Sequence, residues 1–202
     1  MLLLASNGLT SPNLLAAVSP RLAGARSAAL VVTADNLYKS DNYHVPRCRQ
    51  ALEGLGLSVE LFDLDADPAE RLLDYDAVEC IGGNPFYLLQ SIRLHRAEPV
   101  LRALAGRKLL IGWSAAAFVF GPTLALVNQY SPELNTPGLA DLSALALTDV
   151  QVLPHYSRFL ARFPHFEETC AAYEATHRCA VLRLNDGDGV LIDGSAQTLV
   201  RA

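Results

Sequence analysis

The chain has 202 residues, of which 51% are hydrophobic and 18% are charged. This length and composition supply enough apolar surface for a buried core, which excludes disordered and fibrous proteins and predicts a single domain over residues 1–202. The 16 Lys and Arg against 21 Asp and Glu give a net charge of −5 without any basic run, so we expect no nucleic-acid partner.

Apolar segments of strand length alternate with longer amphipathic segments along the first half of the chain. The predicted strands are Leu2–Ala5, Ala28–Thr33, Ser58–Phe62, Ala77–Ile81 and Leu109–Gly112. Helices are predicted over Tyr43–Leu55 and Pro85–Ala105, and a short helix opens at Asp67–Pro68. Because the alternation favours parallel strands joined by crossover helices, the sequence predicts an α/β fold with a sheet covered on both faces.

The chain begins with an apolar segment and carries four scattered cysteines. Met1–Ala5 lacks a cationic flank and is too short for a signal peptide or a membrane span, so we interpret it as the first strand and expect a cytoplasmic protein with no membrane partner. Cys48, Cys80, Cys170 and Cys179 show no metal-binding spacing. We therefore expect reduced thiols and no metal site.

Turn signals interrupt the pattern after Ser114. Three Pro-containing turns, Gly121-Pro122, Ser131-Pro132 and Thr136-Pro137-Gly138, predict an irregular region on the surface. Beyond it the predicted elements are a strand at Val150–Leu153, a helix at Ser157–Thr176, a hairpin of Ala180–Leu184 with Val190–Ile192, and a final strand at Gln197–Arg201.

Ser114 lies where a buried strand meets a run of small, helix-forming residues. The segment Leu109–Ala117 predicts a strand, a sharp turn and a helix, with the serine at the turn and Trp113 as a core anchor. A nucleophile elbow has this form, because the turn raises the hydroxyl above the carboxyl edge of the sheet and leaves the next N–H, that of Ala115, free for an oxyanion. The alternative is a serine that only caps a helix.

A second loop of this kind follows the strand at Ala77–Ile81. Glycine lets the main chain turn with its N–H groups exposed, so Gly83 is a candidate for the second oxyanion donor beside Ala115. Asn84 is the predicted cap of the next helix and a candidate substrate-binding residue. An ordinary strand-to-helix turn is the competing interpretation.

His155 and Asp186 are candidates for the base and its orienting carboxylate. His155 follows a predicted strand, and the end of a strand holds a side chain in a fixed position. A general base for a serine needs such a position and an imidazole whose pKa is near neutrality. Asp186 lies at a turn from which it could orient the imidazole, although Asp-Gly is also common in plain hairpin turns. The other histidines are expected to be solvated, and Glu167, Glu168 and Asp188 stay open as alternatives for the third position.

Taken in this order, the segments resemble the landmarks of the peptidase E family of serine peptidases, which includes aspartyl dipeptidases and cyanophycinases. The matching stretches are Gly82–Phe86, Gly112–Ala115, Pro154–Tyr156 and Leu184–Gly187. The resemblance extends over nearly the whole chain. It implies a three-layer α/β/α sandwich with a mostly parallel central sheet, similar to flavodoxin and to class I glutamine amidotransferases.

The resemblance also implies a role for each candidate residue. Ser114 would be the nucleophile, His155 the base and Asp186 the third member of a triad, with Gly83 and Ala115 as the oxyanion hole. Acyl transfer through such a triad requires no metal or organic cofactor. The expected substrates are dipeptides or short peptides, and the family analogy implies a homodimer.

Specificity is the least determined part of this prediction. Aspartyl-specific members resemble one another in carrying a basic residue after the elbow helix, whereas Pro122–Gln129 contains no Lys or Arg, so strict aspartyl specificity is not expected. Arg158 and Arg162, four residues apart on the predicted helix after His155, are candidates for clamping a peptide carboxylate, with a solvated helix face as the alternative.

Two further functions stay open, because Ala116 replaces a glycine that the family usually has and Phe118 stands where a polar residue is common. One is a catalytically silent homologue that binds a peptide or metabolite in the same cleft. The other is an acyl hydrolase, such as an esterase or amidase, that uses the same elbow.

Overall fold

The computed structural model describes all 202 residues and contains nine strands and eight α-helices. The strands are β1 (Leu2–Ala5), β2 (Ser27–Val31), β3 (Ser58–Phe62), β4 (Ala77–Cys80), β5 (Leu109–Trp113), β6 (Gln151–Leu153), β7 (Val181–Arg183), β8 (Gly189–Asp193) and β9 (Ala196–Val200). The helices are α1 (Pro12–Val18), α2 (Val45–Gly54), α3 (Pro85–Leu94), α4 (Glu98–Arg107), α5 (Ala115–Phe120), α6 (Ala125–Tyr130), α7 (Tyr156–Arg162) and α8 (Phe166–His177). Short 3₁₀ turns cover Ser19–Leu22, Lys39–Asp41, Ala69–Asp74 and Pro132–Leu134.

Seven strands form one central sheet in the order β3-β2-β4-β5-β1-β8-β9. The first five in this order are parallel, β8 is antiparallel to β1, and β9 is antiparallel to β8. Helices cover both faces because successive side chains along each strand point to opposite sides. Leu2 and Leu4 face the core under α3–α6 and α8, whereas Leu3 and Ala5 face the core under α1 and α2. The predicted α/β sandwich with a mostly parallel sheet is confirmed.

The topology brings several loops to one edge of the sheet. The loops after β1, β2, β4 and β5 all leave from the carboxyl ends of parallel strands, so they meet on the same side. The separate two-stranded sheet of β6 and β7 is also parallel, and the chain after each of its strands returns to that side. No helix in the structure combines the length and the apolar composition that crossing a membrane requires.

Two helices predicted as continuous are each broken near a proline. The predicted helix Pro85–Ala105 is two helices, because a continuous one would place the ring of Pro99 against the carbonyl of His95, and Arg96 turns the chain with a φ of 52°. The predicted helix Ser157–Thr176 is divided in the same way around Pro164.

The predicted hairpin of Ala180–Leu184 with Val190–Ile192 is wrong. β7 pairs in parallel with β6, so it belongs to the small sheet, while β8 joins the main sheet beside β1. The actual hairpin joins β8 to β9 and includes the predicted final strand. An Asp-Gly pair lies both before β8 and after it. The turn residues alone therefore could not show whether β8 forms its hairpin with β7 or with β9.

The region after Ser114 is more ordered than its turn signals predict. α5 follows the serine directly and all of its residues are buried, and α6 packs Leu126 and Val127 into the core. Residues 135–150 match the predicted irregular region, with one isolated bridge between Thr123 and Ser143. α1, which begins after the cap residue Ser11, is a helix that the sequence analysis did not predict.

Candidate active site

Ser114 is at the carboxyl end of β5, in a strained turn. Its backbone has φ 51° and ψ −111°, a combination that residues with a side chain rarely adopt. Ser114 is half-buried, whereas its neighbours Trp113 and Ala115 are buried. The turn needs glycine nearby, since a Cβ at Gly82 would lie 2.5 Å from the Trp113 ring and 2.9 Å from Ser114 Cβ. Ala116, which stands where the family usually has glycine, is fully buried in α5, and Ser114 keeps the strained turn beside it.

His155 and Asp186 are joined directly. His155 Nδ1 lies 2.6 Å from Asp186 Oδ1, which leaves Nε2 free to act toward a substrate. The hydroxyl of Ser6, at the end of β1, donates to the same carboxylate oxygen over 2.9 Å and accepts from the His155 backbone N–H over 2.9 Å. Arg158 pairs with the other carboxylate oxygen, Oδ2, over 2.6 Å. Asp186 is therefore held on both oxygens.

The surroundings of His155 favour its neutral form. Burial lowers the pKa of His155, the hydrogen bond and charge of Asp186 oppose that effect, and the positive charges of Arg158 and Arg47 add to it. A neutral imidazole at neutral pH can accept a proton, which is what a general base requires.

The other carboxylates considered for the third position have different partners. Glu167 binds Arg183 and the Tyr156 hydroxyl, and Glu168 lies beside the exposed His165. Asp188 is buried and pairs with Arg201 near the end of the chain. Among these carboxylates, Asp186 is the one that hydrogen-bonds His155.

Ser114 and His155 line the same cleft. Both residues line the same two cavities, and no hydrogen bond joins the serine hydroxyl to the imidazole. Such bonds are often long or absent in a free enzyme and tighten when substrate binds.

Two backbone N–H groups beside Ser114 have no acceptor in the surrounding secondary structure. Gly83 has φ 152°, and a Cβ there would lie 2.3 Å from the carbonyl oxygen of Ala34, so the loop requires glycine. The Gly83 N–H makes no backbone hydrogen bond, and the N–H of Ala115, as the first residue of α5, has no acceptor within the helix. Both residues line the cleft at Ser114.

Asn84 has a structural role in addition to its place in the cleft. Its Oδ1 accepts from the N–H groups of Phe86 and Tyr87, which confirms the predicted cap, and its Nδ2 donates to the carbonyl of Leu134. Asn84 lines the cleft, but these bonds occupy its amide group.

Two cavities of different character meet at Ser114. The larger, of about 420 Å³, receives side chains from the loops after β1 and β2 and from α2, and we call it the polar cavity because most of its lining residues have polar or charged side chains. Its side chains with charge or hydrogen-bonding groups include Asp35, Asn42, His44, Arg47, His155 and Arg158. The smaller, of about 210 Å³, we call the apolar cavity after its apolar and aromatic residues Phe118, Val127, Tyr130, Leu134 and Phe159; Ser131, Glu133 and Arg162 also line it. The Tyr130 hydroxyl is buried and has no hydrogen-bond partner.

Sequence analysis missed four residues of this region: Ser6, His44, Arg47 and Glu79. His44, predicted to be solvated, is half-buried with its ring edge-on to Trp113, because α2 begins directly over the cleft. Glu79 is buried in β4 and accepts a hydrogen bond of 2.9 Å from the Trp113 indole. A charged residue inside an apolar strand was the available signal for Glu79, whereas nothing local distinguishes Ser6 or Arg47.

An α/β sandwich with a serine in a strained turn at the end of a central strand, opposite a His–Asp pair, is the arrangement of hydrolases that act through an activated serine. The chain belongs to peptidase family S51, whose model matches residues 2–200. This membership confirms the family resemblance drawn from the four sequence segments.

Curated relatives carry peptidase names. An uncharacterized peptidase of Listeria monocytogenes serovar 1/2a is 33% identical over 120 residues, which is 57% of this chain and 58% of that protein. Peptidase E of Citrobacter koseri is 33% identical over 144 residues, which is 71% of this chain and 61% of that protein. The matched part therefore spans less than two thirds of either relative.

Solved structures share the fold. The crystal structure of a candidate peptidase E protein from Listeria monocytogenes EGD-e matches with a TM-score of 0.79 and 24% identity, covering 100% of this chain and 98% of that one. A peptidase from an acI-B1 actinobacterium matches with a TM-score of 0.65 and 16% identity, covering 100% of this chain and 87% of that one.

Proposed function

We propose that the protein is a serine peptidase that hydrolyses dipeptides or short peptides through Ser114, His155 and Asp186. The observation that carries the proposal is the convergence of the strained serine, the His155–Asp186 hydrogen bond of 2.6 Å and the free N–H of Gly83 on one cleft. Membership of peptidase family S51 supports the choice of a peptide bond over another acyl bond.

The chemistry follows from the positions of these groups. His155 removes the proton from the Ser114 hydroxyl as its oxygen attacks the peptide carbonyl, and Asp186 stabilises the resulting imidazolium. The N–H groups of Gly83 and Ala115 stabilise the oxyanion of the tetrahedral intermediate. His155 then protonates the leaving amine, and water attacks the acyl-enzyme with His155 again as the base.

The apolar cavity supports an acyl residue with an apolar side chain. It is lined next to Ala115 by Phe118 and Val127, and α6 contributes no basic side chain to pair with an aspartate. Arg162 and Glu133 line the same cavity but are exposed and opposite in charge. We therefore expect Leu-Xaa and Phe-Xaa to be better substrates than Asp-Xaa.

The test compares wild type with Ser114→Ala on a dipeptide and tripeptide library that includes Asp-Xaa members, with products followed by mass spectrometry. Ser195→Ala is a matched control, since this serine is exposed in the β8–β9 turn and makes no side-chain hydrogen bond. Cleavage by wild type and the control, with loss in Ser114→Ala, would support the proposal.

A fluorophosphonate probe separates the remaining functions. Labelling of Ser114 with ester but not peptide hydrolysis would indicate another acyl hydrolase. No labelling and no cleavage would leave the silent binding homologue as the function.

A further inference from the structure

We infer that Arg47 is the receptor for the free carboxylate of the leaving residue, so that the enzyme selects peptides with one residue beyond the scissile bond. This inference rests on the proposed function and names the substrate class. It starts from a cation in the polar cavity that the catalytic mechanism does not use.

Arg47 is held in place by contacts that include no ion pair. Its guanidinium stacks over the Trp113 ring at 5.5 Å from the ring centroid, and Nη2 donates to the carbonyl oxygen of Asn7 over 2.9 Å. No carboxylate lies within 4.0 Å of it, and the buried Nε has no partner. The charge of Arg47 lowers the pKa of the buried Glu79 carboxyl, but Glu79 does not line the cavity. A half-buried, preorganised guanidinium that makes no ion pair is suited to bind a carboxylate that enters the cavity.

The other basic groups that line this cavity are less suited. Arg158 already pairs with Asp186 over 2.6 Å, so the predicted clamp on a peptide carboxylate would compete with that ion pair. Burial and the charges of Arg47, His155 and Arg158 lower the pKa of His44. Arg47 is thus the permanent cation in the lining of the polar cavity that makes no ion pair.

The one carboxylate in the polar cavity is held by its own loop. Asp35 accepts hydrogen bonds from the N–H groups of Leu37 and Tyr38, and from the side chain of Asn42. These bonds stabilise its charge locally, which leaves Arg47 as the group that requires an external partner.

Arg47 and Ser114 line the same cavity of about 420 Å³. A carboxylate bound at Arg47 is therefore expected to belong to a short leaving group of a substrate that is attacked at Ser114. Consecutive Cα atoms are about 3.8 Å apart. When the leaving group is a single residue, its carboxylate therefore lies one residue beyond the attacked carbonyl. A longer leaving peptide would place an amide, without charge, at Arg47.

The two ends of a dipeptide then match the two cavities. The carboxylate end enters the polar cavity toward Arg47, and the residue with the free amine enters the apolar cavity, where Glu133 is exposed. The substrate class is therefore a dipeptide with an apolar first residue and a free carboxylate.

The test measures kcat and KM for Leu-Leu and for Leu-Leu amide with wild type, Arg47→Gln and Arg47→Lys. The measurement is made on the alkaline plateau of the pH profile, where His155 is neutral whether or not Arg47 lowers its pKa. Wild type should prefer the free acid, and Arg47→Gln should raise KM for the acid on the order of 100-fold while changing the amide little. Arg47→Lys should restore part of the loss. Arg49→Gln is the matched control, since Arg49 lies on the same helix and bonds the Val59 carbonyl away from the cleft.

Calorimetric binding of both peptides to Ser114→Ala and to Ser114→Ala/Arg47→Gln gives a second measurement that does not depend on turnover. Equal KM values of wild type for acid and amide, or equal binding of the two peptides to Ser114→Ala, would overturn the role of Arg47. Such a result would leave the peptidase proposal intact. Hydrolysis of neither peptide, with no labelling of Ser114, would overturn the proposed function instead. Retained amide hydrolysis by Arg47→Gln shows that this variant is folded.

Discussion

Replacing Glu79 with glutamine should stabilise the protein at alkaline pH. Glu79 is 1% exposed in the centre of the sheet, its Oε1 accepts from Trp113 Nε1 over 2.9 Å, and its Oε2 has no partner. Burial raises the pKa of this carboxyl from 4.5 to about 7, with smaller opposing effects of Trp113, Cys48 and Arg47. Glutamine keeps the oxygen that accepts from Trp113 and carries no charge.

The sign of the effect follows from proton binding in the two states. Below pH 4.5 the carboxyl is protonated in both the folded and the unfolded chain, so the free energy of unfolding does not depend on this group. Between pH 4.5 and 7 the unfolded chain has lost the proton that the folded chain keeps, so stability falls as the pH rises. Since one pKa unit corresponds to about 1.4 kcal/mol, the loss above pH 7 amounts to about 3 kcal/mol.

Urea unfolding of wild type and Glu79→Gln from pH 4 to 9 measures this difference. The free energy of unfolding of the variant relative to wild type should increase by about 3 kcal/mol across this range and level off above pH 8. Glu70→Gln is the control, because Glu70 is exposed and makes no side-chain hydrogen bond. Parallel pH curves for wild type and Glu79→Gln, or a wild type that gains relative stability with pH, would refute the reasoning.

Two further predictions concern the proposed triad and are measured through kcat/KM or kcat. Arg158→Ala should shift the midpoint of the acid limb of the kcat/KM pH profile to higher pH, because the positive charge of Arg158 lowers the pKa of His155. A midpoint that stays at the same pH or moves to lower pH would contradict this. Ser6→Ala should lower kcat about tenfold with little change in KM, because the bond to Asp186 is lost and the His155 N–H loses its acceptor. A change in KM alone would assign Ser6 to substrate binding rather than to positioning.

The features that sequence analysis predicted well depend on patterns over a few residues. The apolar runs at β1 and β3 give these strands their observed bounds, and the Asn84 cap follows from the Asn-Pro pair that begins α3. The elbow at Ser114 is equally local, since small residues must follow the serine for the chain to turn so tightly. These interactions are decided by neighbours in the chain.

Other features depend on residues that are distant in the chain. Ser6 contacts His155 and Asp186 only because β1 lies between β5 and β8 in the sheet. The pairing of β7 with β6 rather than β8 is likewise decided by the completed sheet, because the same turn chemistry suits either partner. Local propensity carries no information on such long-range pairings.

Trp113 connects the strand pattern to the polar cavity. As the residue before Ser114 it faces the side of the sheet opposite to Gly112, where its indole lies against Gly82, donates to Glu79 and supports the Arg47 guanidinium. The site thus uses one buried aromatic residue both as part of the core and as the base of the polar cavity. For this reason the two variants should have separate effects. Glu79→Gln keeps the acceptor of the indole N–H and should change how the free energy of unfolding depends on pH. Arg47→Gln leaves the indole in place and should change the preference for a free carboxylate.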